Sequence, residues 1–165
     1  MRFLFLLFVI PVCHAGVRAT DERLALPSAP KAYVTDNAQV VAPDAIQRLN
    51  GRLVGHEKES TDQIVVCIER RLPEGAELAT YSKELFNQWG IGQKGKNNGV
   101  LILVFTEDRK VRITVGKGVE SVLPDDECQR IITECMAPLF RIGDYGGGID
   151  KSISAIVADL NARLL

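Results

Sequence analysis

Ile64-Val65-Val66-Cys67-Ile68 is a run of consecutive apolar residues, nearly all β-branched, set between Thr61-Asp62-Gln63 and Glu69-Arg70-Arg71. It is too short for a buried helix and shows no polar alternation, so it reads as a strand covered on both faces. Helices must then lie on both sides of a sheet. Downstream, Leu78, Tyr81, Leu85 and Trp89 recur at helical spacing and stop at Gly90-Ile91-Gly92. Val100-Leu101-Ile102-Leu103-Val104-Phe105 repeats the buried-strand pattern, and strand, helix and strand together predict a parallel, right-handed βαβ unit. After a tight turn at Thr106-Glu107-Asp108-Arg109, Val111, Ile113 and Val115 alternate with Arg112 and Thr114, the signature of a strand returning antiparallel. The chain is therefore expected to be α/β with a short mixed sheet.

Around this centre, Pro43-Asp44 opens a helix running to about Ser60, with Ile46, Leu49 and Leu53 on one side. Gly51 and Gly55 within it are expected to mark close approach of another backbone. Pro124-Asp125-Asp126-Glu127 starts a third helix, its acids at the positive end of the dipole, with Cys128, Ile131, Ile132 and Cys135 inward and a break at Gly143. A last helix carries Ile149, Ile153, Ile156, Val157, Leu160 and Leu164. Residues 1–15, with Arg2, an apolar run from Phe3 to Val12 and Cys13-His14-Ala15, read as a secretory signal peptide. Residues 16–32 read as an extended, poorly packed lead-in, and residues 33–165 as the domain. The apolar run is about half the length of a bilayer span, which disfavours a transmembrane anchor. Val12 disfavours lipidation at Cys13. The protein is expected to be exported, periplasmic or secreted.

With 20 Lys+Arg against 21 Asp+Glu, a formal charge of -1 and 46% apolar residues, the 165-residue chain can form one ordinary core. It lacks the basic excess that drives general nucleic-acid binding. Cleavage after Ala15 leaves Cys67, Cys128 and Cys135. Cys128 and Cys135 lie roughly 10 Å apart along one helix, too far to bridge each other, so only Cys67 could pair with either. One bridge plus a free thiol and three buried thiols are both open. His56 is then the sole histidine, expected to be solvated, and neither a zinc pattern nor a Ser-His-Asp set can be placed around it.

Two glycine-rich segments invite nucleotide readings and fail them. Gly90-Ile91-Gly92-Gln93-Lys94-Gly95-Lys96-Asn97 nearly spells a phosphate-binding loop, but it follows a helix and enters a strand, and Asn97 replaces the magnesium-binding hydroxyl. Gly116-Lys117-Gly118 follows a hairpin strand and reads as a turn with glycines at positive φ. The topology puts the loop before the second strand and the loop after the third on one sheet edge. Asn97, Asn98, Glu120 and Asp125 thereby become neighbours. Together with Asp36 they are hard oxygen donors of the type that bind Ca²⁺ or Mg²⁺.

Tyr33-Val34-Thr35-Asp36-Asn37-Ala38, Trp89-Gly90-Ile91-Gly92, Lys94-Gly95-Lys96-Asn97-Asn98-Gly99-Val100, Asp108-Arg109-Lys110-Val111-Arg112-Ile113, Gly116-x-Gly118-x-Glu120-x-x-Leu123-x-Asp125 and Gly143-Asp144-Tyr145 occur in an order that resembles the TPM domain. That family is named for a thylakoid lumen protein, a photosystem II repair protein and a nematode receptor auxiliary protein. The resemblance spans about residues 33–160 and implies a three-layer α/β/α sandwich in an exported or lumenal setting. It also implies that Asp36 joins the loop edge in binding a divalent cation. Two functions follow as expectations. One is a non-catalytic module, a monomer, that uses a cation-rigidified edge to assist a membrane-protein complex. The alternative is a divalent-cation-dependent acid phosphatase, with Asp36 or Asp125 as ligand or base and Arg112 or Lys117 steadying phosphate. Two departures from the family pattern are Ala42, where relatives often place a capping Ser, and Asn97, where they often place an acid.

Overall fold

The computed structural model describes residues 26–163; the leader at 1–15, residues 16–25 of the lead-in and the last two residues lie outside the described part. In chain order the elements are β1 (Val34–Asp36), α1 (Pro43–Ser60), β2 (Gln63–Glu69), α2 (Leu78–Trp89), β3 (Gly99–Phe105), β4 (Lys110–Val115), α3 (Asp125–Ile131), a π turn (Ile132–Met136), α4 (Ala137–Arg141) and α5 (Tyr145–Ala162). The sheet order is β1-β2-β3-β4. β1 runs parallel to β2 with Val34 opposite Val66, and β2 parallel to β3 with Ile64 opposite Val100. β4 returns antiparallel, with Ile113 opposite Ile102.

Alternation along the strands sorts the core into two layers. Ile64, Val66, Ile68, Val100, Ile102, Val104 and Ile113 face α1, α3 and α5, where they meet Leu49, Leu53, Ile131, Ile149 and Ile153. Val65, Cys67, Leu101, Leu103 and Phe105 face α2, meeting Tyr81 and Leu85. The result is the α/β/α sandwich. Both parallel crossovers step the same way across the sheet, yet α1 and α2 lie on opposite faces. The two crossovers therefore have opposite hands, so one of them departs from the usual right-handed connection. They also diverge at the carboxyl ends of β1 and β2, the kind of switch point where open α/β sheets form crevices.

Several expectations need correction. His56 is buried, because it continues the Leu49–Leu53 stripe of α1 by three residues. Burial lowers its pKa. Gly51 and Gly55 face open space, with nothing within 4 Å of where a Cβ would sit, so no backbone approaches them. The lead-in is packed from Leu26 onward: Leu26 joins the α2 layer, and the Pro27 carbonyl accepts bonds from Trp89 Nε1 at 2.9 Å and Gln88 Nε2 at 3.0 Å. The third helix is not regular but widens into a π turn before Pro138, where an α-helix would require the N–H that proline lacks. All three described cysteines are free and buried.

Candidate functional site

The amino edge of the parallel strands gathers the loops that the topology predicted would meet. Gly116 N–H donates to the Gly99 carbonyl at 2.8 Å, and Gly118 N–H to the Asn97 carbonyl at 3.0 Å. Gly116 and Gly118 are required by this contact rather than by positive φ. A Cβ on Gly118 would stand 1.8 Å from the Lys96 carbonyl oxygen, and one on Gly116 2.2 Å from that of Asn97. Asn97 itself adopts φ of 50°.

Asn98 is buried and its amide is fully engaged. Its Oδ1 accepts from Gln93 N–H at 2.9 Å, while Nδ2 donates to the Thr61 carbonyl at 2.8 Å and to Asp62 Oδ1 at 2.9 Å. Asp62 is wholly buried and also bound by Arg163, so Asn98 ties the loop to the end of α1 and to α5. Glu120 and Lys117 are exposed on the neighbouring loop, and Asp125 begins α3 as an acid of its first turn.

Asp36 does not join this edge. It pairs with Ile68 at the carboxyl end of β2, whereas Gly99 pairs with Gln63 at the amino end. The length of β2 separates them, roughly 20 Å at the rise of a strand. Both oxygens of Asp36 cap the turn after β1. Oδ1 accepts from Gln39 N–H at 2.8 Å, and Oδ2 from Val40 at 2.8 Å and Val41 at 2.7 Å. The five expected cation ligands thus fall on two edges, with Asn98 and Asp36 already committed. Among the described residues no three His, Cys, Asp or Glu side chains gather as a metal group. Asp36 and the other four therefore do not form one cation cage. Arg112 and Lys117 are also apart: Arg112 sits mid-strand opposite Leu103, on the α2 side, and Lys117 follows five residues later, roughly 16 Å along an extended chain.

Among the described residues, Cys67 and Cys128 are held as neutral thiols. Burial first, and then Glu69, push the Cys67 thiol pKa up, and burial with nearby acids raises that of Cys128 to about 11. Ser60 Oγ stands 3.2 Å from His56 Nε2, a contact that no spacing motif in the chain announces. Ser60 Oγ donates to the His56 carbonyl at 2.8 Å, and Asp62 is held by Asn98 and Arg163 rather than by the imidazole. The contact finishes a helix and does not form a triad.

The carboxyl edge is richer. Asn37 Nδ2 donates to Glu69 Oε1 at 2.6 Å across the β1–β2 switch point, and Asp108 Oδ2 accepts from Leu72 N–H at 2.6 Å. Beyond the β3–β4 hairpin a groove of about 1080 Å³ opens between the sheet and α4. Phe105, Val111, Ile132 and Phe140 supply apolar surface, and Arg71, Arg109, Lys110 and Arg141 supply cationic groups. Arg71 is paired with Glu107; Arg109, Lys110 and Arg141 are exposed and have no carboxylate partner among the described residues. Ile142, next to Arg141, is 77% exposed. Sequence reading missed this groove because its walls come from segments spread along the chain from Arg71 to Tyr145.

Fold and groove together define a small α/β/α domain whose recess lies at the carboxyl ends of its strands. The family model described as TPM domain matches residues 34–159, and the chain belongs to that family. Among solved structures, the N-terminal domain of a protein from P. gingivalis is 32% identical, with a TM-score of 0.73 over 81% of this chain and 84% of that one. The BA42 protein of the psychrophilic bacterium Bizionia argentinensis is 20% identical, with a TM-score of 0.64 over 74% and 82%. The N-terminal domain of a Corynebacterium glutamicum protein is 14% identical, with a TM-score of 0.60 over 81% and 83%. These last two share the fold. A search of curated proteins finds no match.

Proposed function

We propose that this TPM domain is a non-catalytic binding module of an exported protein, and that its contact surface for a membrane-protein complex is the carboxyl-edge groove. The observation that carries the reading is the combination in one recess of apolar floor and three cations with no carboxylate partner among the described residues. Apolar anchors ringed by charge suit recognition of another polypeptide, where burial supplies affinity and charge supplies orientation. The groove's apolar floor, Phe105, Val111, Ile132 and Phe140, is built on strand and helix residues, so it is preformed and demands little ordering on binding.

The phosphatase alternative requires a cation, a phosphate clamp and an activated water close together. Asp36, Asp125, Arg112 and Lys117, the residues it would use, are spread over two edges and the middle of β4, and this favours the binding reading. A phosphate-release assay with an aryl phosphate, run with Mg²⁺, Ca²⁺ or Mn²⁺, separates the two. The binding reading expects no metal-dependent turnover from either the wild type or Asp36→Asn. Metal-dependent turnover that disappears in Asp36→Asn would establish the enzyme and overturn it.

A further inference from the structure

The two edges of the sheet are finished differently. At β1, the outward-facing N–H of Val34 is capped by Asn50 Oδ1 of α1 at 3.0 Å. At β4, Gly116 N–H bonds to Gly99, its partner across the ladder, so alternation turns the N–H and C=O groups of Lys110, Arg112 and Thr114 toward β3. Those of Val111, Ile113 and Val115 then face away from the sheet. No described backbone or side-chain group bonds to them. α2 lies over one face of β4 and the π turn packs on the other. The Lys110–Val111 end of this edge opens into the basic groove.

We propose that β4 takes up an extended segment of a partner polypeptide as a fifth strand, and that this segment alternates acidic and apolar residues. The inference rests on the binding-module reading and specifies its partner. A strand laid on β4 would make its ladder bonds at Val111, Ile113 and Val115, the mode by which sheet edges capture peptides. Side chains of the added strand alternate as those of β4 do. On the α2 side they would lie beside Lys110 and Arg112, whose register partners Phe105 and Leu103 belong to the α2 layer. Arg112 Nε is buried without a hydrogen-bond partner, and Glu77, the nearby acid of α2, is already committed to the Ala79 and Thr80 N–H groups. Carboxylates are the complementary groups there. On the opposite side the added residues would extend the layer of Val111, Ile113 and Val115 toward Ile132 and Phe140, which calls for apolar side chains. The same cations disfavour edge-to-edge pairing of two copies, the usual protective use of charge on an edge strand.

The test uses a fluorescent peptide, Glu-Val-Glu-Val-Glu-Val, with amide NMR and hydrogen exchange on the protein. Binding is expected to weaken at least tenfold in Lys110→Glu, an exposed position whose change leaves the core intact. It should also be lost for Lys-Val-Lys-Val-Lys-Val and for the acidic peptide N-methylated at its valines. The amides of Val111, Ile113 and Val115 should gain protection on binding. Equal binding of the N-methylated peptide, or no added protection at these amides, overturns the proposal. So does protection that rises with protein concentration in the absence of peptide, since the occupant would then be a second copy. Any of these results leaves the groove free to bind a partner in another mode, whereas metal-dependent phosphate turnover would remove the underlying reading itself.

Discussion

Asn98 shows how one side chain can carry chemistry of the right type and spend all of it on structure. Its amide satisfies Gln93, Thr61 and Asp62 in a buried setting, so Asn98→Ala leaves at least one buried polar group unpaired. The expected cost is about 1–3 kcal/mol, read by urea unfolding. An unchanged midpoint would mean that solvent replaces those bonds. Glu77 offers a prediction of known sign. Its carboxylate accepts from Ala79 and Thr80 N–H groups at the start of α2, which lowers its pKa from the ordinary 4.5 to about 2. A folded-state value below the unfolded one gives stability that is full above about 4.5 and is lost as pH falls toward 2. Glu77→Ala should therefore flatten the fall in melting temperature over that window; a parallel fall in both proteins contradicts the cap. Cys67, buried and raised in pKa, should resist a mild thiol reagent in the native state and react only on unfolding.

Elements reveal which signals in the chain are local. Strands β2, β3 and β4 and helices α1 and α2 were legible because apolar runs and 3.6-residue stripes are properties of neighbouring residues. β1 was not, since a strand of three residues carries no periodicity, and with it went the placement of Asp36. Once the α1 crossover makes β1 parallel to β2, the last residue of β1 must sit at the carboxyl edge, opposite the glycine loops. The π turn escaped for a different reason: its outward sign is a proline after an otherwise helical stretch. The glycines of α1 also misled. They contact nothing and only weaken the helix, so Gly51→Ala and Gly55→Ala should each stabilise the domain by about 0.5–1 kcal/mol. A loss of stability in either would reveal a backbone constraint that open space around the Cβ position does not suggest.

At the scale of the molecule, the two ends of the sheet divide their work. The amino edge is locked by interleaved backbone loops and the Asn98–Asp62–Arg163 network, and its motif glycines and amides serve packing. The carboxyl edge holds the switch point, the basic groove and the Lys110–Val111 end of the β4 edge. What the sequence could deliver of the site was an inventory of polar residues; how they divide between the edges depends on strand direction, a property of the assembled sheet. The most direct test of the account places a photo-crosslinking amino acid at Arg141 on the groove rim and, as a control, at Lys117 on the opposite edge, in cells that express the protein. The account predicts a discrete polypeptide adduct from position 141 that Lys110→Glu diminishes, and none from position 117. An adduct confined to position 117 would contradict it.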